Sequence, residues 1–244
     1  DTVTVTAITL DNNTSTASVT FSGTAKTITG TINGLGTTEG TVTVSGTGKT
    51  FASAIGGTNP LSTITISAGT TTFDSTVAAT TISANAGTTI TGAVTATTFG
   101  TTAAAYNIAI NGGGTITNAV TFSNTGTVTL GDASGDSITF TGGVTATAPS
   151  QVNIAGTVQS TNTAISIGDS DTPTVLTANT TISGNTSGNI TLGGTVNGAY
   201  TLDLNTTGTT TLSGIIGGST ALTSLTTNSS GTTAINGGSI RTSG

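Results

Sequence analysis

Only 5% of the 244 residues are charged, against about 25% in an ordinary soluble protein, which argues against a conventional enzyme surface. Three basic residues (Lys26, Lys49, Arg241) against nine acidic ones give a net charge of -6, so there is no basic patch to meet phosphates and nucleic-acid binding is excluded. His, Cys, Met and Trp are absent, which removes imidazole bases, thiolate nucleophiles, His or Cys metal sites and disulfides.

A mean hydropathy of +0.23 with 33% apolar residues sets the chain apart from disordered sequences, which combine low hydrophobicity with high charge. No run approaches the 18 or more apolar residues of a membrane helix. No basic start followed by an apolar stretch marks a signal peptide, and the chain reads as a processed or excised segment, which is compatible with export.

In chain order, Thr2 to Thr6, Thr41 to Val44, Thr63 to Ile66, Thr127 to Leu130 and Thr201 to Leu204 alternate Thr or another polar residue with an aliphatic one. This period of two predicts half-buried strands, and no apolar helical stripe is sustained anywhere. Turns are expected at Gly112 to Gly114, Gly217-Gly218 and Gly237-Gly238. A unit of aliphatic strand, Gly and Thr-rich strand recurs. Gly69 to Gly87 is 18 residues, Gly188 to Gly208 is 20 and Gly208 to Gly231 is 23. Repeats of that length predict an all-β fold, a β-solenoid of roughly 20-residue coils, each stacked on the last around a central apolar column.

The second and fourth residues after each Gly are expected to face inward: Val128 and Leu130, Ile190 and Leu192, Thr210 and Leu212, Thr233 and Ile235. Intervening residues such as Thr127, Thr129, Thr209 and Thr211 then form outward ladders. Ten to twelve coils at about 4.8 Å each would make a rod of about 50 Å. A membrane barrel would need aromatic girdles, and 3% aromatics without Trp do not supply them. An immunoglobulin-like array would repeat at domain length rather than coil length. The whole of 1–244 therefore reads as one solenoid segment, with longer irregular loops near 131–137 and 168–174.

The stretch Leu202 to Gly238 is similar to the repeats of very large bacterial surface proteins, the filamentous-haemagglutinin-like adhesins and autotransporter passengers. Ser62 to Val94 and Tyr106 to Leu130 resemble them more loosely. The resemblance implies a right-handed parallel β-helix, export to the bacterial cell surface, and a role in adhesion, surface layers or matrix. It supplies neither a membrane-anchoring barrel nor a secretion domain.

Acidic side chains are the main candidates for chemistry. Asp132 and Asp136 share one Gly-rich segment, and Asp169 and Asp171 share another. Either pair could supply part of the oxygen shell of calcium, but neither matches a known calcium loop, and capping of turns by accepting backbone N–H bonds is the preferred reading. A two-carboxylate glycosidase lacks supporting basic and aromatic residues. No catalytic, cofactor or metal residue is assigned. Outward Thr-x-Thr ladders resemble those of ice-binding solenoids, but the unequal intervals Gly87 to Gly114 (27) and Gly114 to Gly126 (12) are expected to break their register. The sequons at Asn179, Asn185 and Asn205 are expected by chance in this composition.

The expected function is that of a non-enzymatic extracellular structural protein, forming a fibre, sheath, matrix or surface-layer filament. The alternative is an adhesin segment that binds a host receptor or glycan through its loops. Neither end carries an evident cap: Asp1 leads directly into the first strand, and the last coil runs through Ile235 and Ile240. The segment is therefore expected either to be cut from a longer solenoid or to stack head to tail with further copies.

Overall fold

The structure, a computed structural model, describes residues 2–13, 15–228 and 230–244; Asp1 lies outside them. Every regular element among the described residues is a β-strand, and every pairing between strands is parallel. Thr and Val, which dominate these strands, are stiff at χ1 and suited to a pleated surface with one buried side.

A single line of paired residues runs the length of the stack: Ile8, Ile32, Ile55, Val77, Val94, Gly114, Ile138, Val158, Ile182, Leu204 and Thr227. Each lies one coil above the last, so the chain is a β-solenoid of about eleven turns. Two further columns complete each coil. One passes through Val3, Ile28, Phe51, Phe73, Ile90, Ile110, Leu130, Ile154 and Leu176. The other begins Val19, Val42, Ile64, Ile82, Phe99 and resumes as Val120, Val144, Ile165, Ile190, Thr210 and Thr233.

The roughly 20-residue repeat is an average. Along the first line the step falls to 17 residues between Val77 and Val94 and rises to 24 between Gly114 and Ile138. Corners between strands absorb the difference, so side chains stay in register. Glycine permits this where backbones of adjacent coils nearly touch. Gly131 has φ +78°, and a Cβ there would lie 2.3 Å from the carbonyl oxygen of Ala155.

The core is the stack of inward positions. Val128, Leu130, Ile190, Leu192, Thr210 and Leu212 are buried as the alternation predicts. In the last coil, Thr233 and Ile235 keep that register above Thr210 and Leu212 but are exposed, because no further strand among the described residues covers them. Phenylalanines stack between coils. The Phe51 and Phe73 rings are parallel with centroids 5.1 Å apart, and Phe122 meets Phe140 edge-on at 6.2 Å, geometries in which the ring quadrupoles attract.

Candidate functional site

The two acidic segments form corners of the solenoid. Asp136 Oδ2 accepts hydrogen bonds from the backbone N–H of Asp132 (2.8 Å) and Ala133 (2.7 Å). Asp169 Oδ1 accepts from the N–H of Asp171 at 3.0 Å, and the Asp169 carbonyl accepts from Thr172 at 3.2 Å. Both carboxylates thus hold their own turns, as the capping reading requires. Asp132 and Asp171 point into solvent. Among the described residues no three potential metal-ligating side chains of the His, Cys, Asp or Glu types lie together.

Threonine ladders are in register, which corrects the expectation that unequal glycine spacing breaks them. Thr41, Thr63, Thr81 and Thr98 stand directly one above another, as do Thr20, Thr43 and Thr65. Gly87 and Gly114 belong to different columns, pairing with Thr70 and Val94 respectively, so the distance between them says nothing about register. A complete Thr-x-Thr rung nevertheless occurs on only two successive coils of this column. The neighbouring rungs carry Ser18, Ser83 and Gly100 in one of the two positions.

One feature of the surface is concave. Coils below it turn tightly: Ile66 and Thr70 are joined by residues 67–69, and Ala84 and Gly87 by residues 85–86. In the next coil the same corner, between Thr101 and Ile108, takes residues 102–107. The added length overhangs the coils beneath and encloses a groove of about 490 Å³, lined by Thr70, Thr72, Thr89, Tyr106 and Asn107 with Gly69 and Gly87. Ligand sites commonly fall between about 300 and 1,000 Å³.

The overhang is fixed by the tyrosine hydroxyl. Tyr106 Oη accepts from the Thr102 N–H at 2.7 Å and lies 2.8 Å from the Ala84 carbonyl, to which it donates. Its ring also packs on the core. Asn107 Oδ1 accepts from the N–H of Thr127, one coil further on, at 2.9 Å. That bond orients the amide.

Sequence reasoning missed this groove because a two-residue corner and a six-residue one differ only in unpatterned residues. It also missed the asparagines that tie coil to coil. Asn162, Asn189 and Asn197 each present Oδ1 to a backbone N–H more than 19 residues ahead. Asn179, noted only as a sequon, does the same for Thr201 at 3.2 Å. These asparagines share no position relative to the strands, since Asn189 directly precedes one, Asn179 lies inside another and Asn197 ends a third, so no pattern in the sequence marked them. Lys49 was missed as well: it occupies an inward position with 2% exposure, and its Nζ donates to the Gly23 carbonyl at 2.6 Å.

No family model matches this chain, and no curated protein or solved structure matches it either.

Proposed function

We propose that this protein is a non-enzymatic structural element of an extracellular fibre, sheath or matrix, assembled by stacking one solenoid on the next. The observation that carries the reading is the apolar face of the last coil. Ile235 is 55% exposed and Ile240 36%, although both sit in register above buried Leu212 and Ile216. At the opposite end Val3, in register with buried Ile28, is 40% exposed. Each face therefore presents unpaired strand edges together with inward-type aliphatics, the surface that another β-coil covers. Further coils of a longer chain or a second copy of this one would each cover such a face, and a net charge of -6 spread over 244 residues opposes head-to-tail stacking of copies little. Contact of this head-to-tail kind does not close and propagates into a filament.

The resemblance of Leu202 to Gly238 to repeats of bacterial adhesins supports placement at the bacterial cell surface or beyond. The fold also suits that setting, since its strands pair coil to coil throughout the stack and the chain has no cysteine to be oxidised.

Sedimentation and negative-stain imaging across a concentration series test the assembly. Wild-type protein is expected to lengthen with concentration, and Ile235→Asp, at a position already exposed in the single chain, to remain monomeric while melting as wild type does. A monomer at every concentration would contradict the proposal.

A further inference from the structure

We propose that the groove beneath the 102–107 overhang is a binding site for a neutral carbohydrate. It lies on the rungs of Phe73 and Ile90, away from both terminal coils, and does not depend on filament formation.

The lining identifies the ligand class. Its residues carry no formal charge, so an anionic or cationic ligand would surrender its hydration without a compensating partner. What the groove offers is a row of hydroxyls from Thr70, Thr72 and Thr89, each able to donate and to accept, and the amide of Asn107. Asn107 Oδ1 is engaged by Thr127, which leaves the two N–H bonds of its Nδ2 as donors. A ligand rich in hydroxyls meets such a surface at many points and without any fixed charge.

Tyr106 supplies the apolar part. Its ring is half-buried and lines the groove, and its hydroxyl is held between Thr102 and Ala84. The negative face of an aromatic ring attracts positively polarised C–H bonds, and a sugar ring presents C–H groups on its faces and hydroxyls around its rim. Because the ring is anchored before the ligand arrives, little ordering cost falls on binding. A peptide would instead require backbone pairing at a free strand edge, and the strands flooring the groove, Thr70–Phe73 and Gly87–Ile90, are already paired to one another and to the strands on either side.

The chain has two tyrosines and no Trp, so Tyr200→Phe leaves Tyr106 as the sole emitter of tyrosine fluorescence. That variant is titrated with a panel of neutral oligosaccharides, two to six units of hexose, pentose or N-acetylhexosamine, with sulfated oligosaccharides and a peptide library alongside. The expected result is a saturable change in Tyr106 emission with at least one neutral oligosaccharide. Affinity should fall at least about tenfold in Thr70→Val/Thr89→Val, which keeps shape and removes two hydroxyls, and stay unchanged in Thr209→Val/Thr211→Val on another face. Matched melting temperatures show that the variants are folded. Failure of every neutral oligosaccharide, binding confined to sulfated sugars or peptides, or equal loss in the groove and control variants would each overturn the proposal.

Discussion

Inside a column of aliphatics, a single hydroxyl is a measurable event. Thr71 and Thr174 are buried, and neither Oγ1 has a hydrogen-bond partner. Thr206 is equally buried, but its Oγ1 donates to the Gly188 carbonyl at 2.7 Å and accepts from the Gly208 N–H at 2.9 Å. An unsatisfied buried hydroxyl costs about 1–3 kcal/mol, whereas a satisfied one contributes about 1 kcal/mol. Valine has nearly the same shape. Thr71→Val and Thr174→Val should therefore each stabilise by about 1 kcal/mol, or about 2–4 °C in Tm for a chain of this size, and Thr206→Val should lower Tm by at least as much. Calorimetry on the three variants checks the sign at each site. Lys49 belongs to the same account, since the register places it directly below Thr71 and its ammonium reaches the Gly23 carbonyl.

At the scale of the strand, alternation decides which face a residue occupies, and this was legible directly. The pattern Thr-Val-Thr-Val over 41–44 is half-buried, buried, half-buried, buried, and the same holds for 127–130. Ile190 and Leu204 are fully buried, while Thr209 is half-buried and faces out. Placing a carboxylate at Ile190 or Leu204 leaves it unpaired in the core, and a loss above about 4 kcal/mol is expected. Thr209→Asp should cost less than about 1 kcal/mol, because Asp203 already occupies an outward position between Thr181 and Thr226. Urea unfolding of the three variants separates the two classes, and equal losses would mean that the facing is wrong.

What alternation did not reveal is how coils align. Register is set by direct hydrogen bonding between strands distant in sequence, and the corners take up whatever length the chain supplies. Gly69 and Gly87 occupy equivalent corners only one residue out of step, Gly69 preceding and Gly87 pairing with Thr70, so the interval between them approximates a coil. Gly87 and Gly114 do not, and their 27-residue spacing misled the expectation about the ladders. Asp and Gly cluster between Leu130 and Ser137 and between Ile167 and Thr174, where one strand ends and the next begins. The 102–107 overhang carries no such mark, and the groove it forms depends on shorter corners in the coils beneath.

Taken as a whole molecule, the stack is a one-dimensional object in which each coil meets only its neighbours. Cleavage then requires local opening rather than a chance encounter with a loop. Trypsin has three basic residues to act on: Lys49 is buried, Lys26 is half-buried and Arg241 is exposed near the end of the last coil. Digestion of folded protein at room temperature should remove no more than the last few residues, read as a single small mass loss. Early fragments ending at Lys49 would show that the third rung opens freely.

The claim that the rod extends by stacking copy on copy is tested most directly by a disulfide across the junction. Among the described residues no cysteine competes, so Val3→Cys/Thr242→Cys introduces the only two thiols. Val3 begins the column that passes through Ile28 and Phe51; Ile240, above Ile216 and Val196, ends the line of Thr71 and Lys49 two residues earlier, so the residue matched to Val3 at the far end is Thr242, which pairs with Leu222. Parallel strands about 4.8 Å apart bring paired Cα atoms within the roughly 4.4–6.8 Å that a disulfide spans. Oxidation of the double variant should produce a ladder of covalent dimers, trimers and longer chains on non-reducing gels, while each single variant stops at a dimer or does not cross-link. A double variant that stays monomeric under the same oxidation, with both thiols reactive toward a small reagent, would contradict head-to-tail stacking.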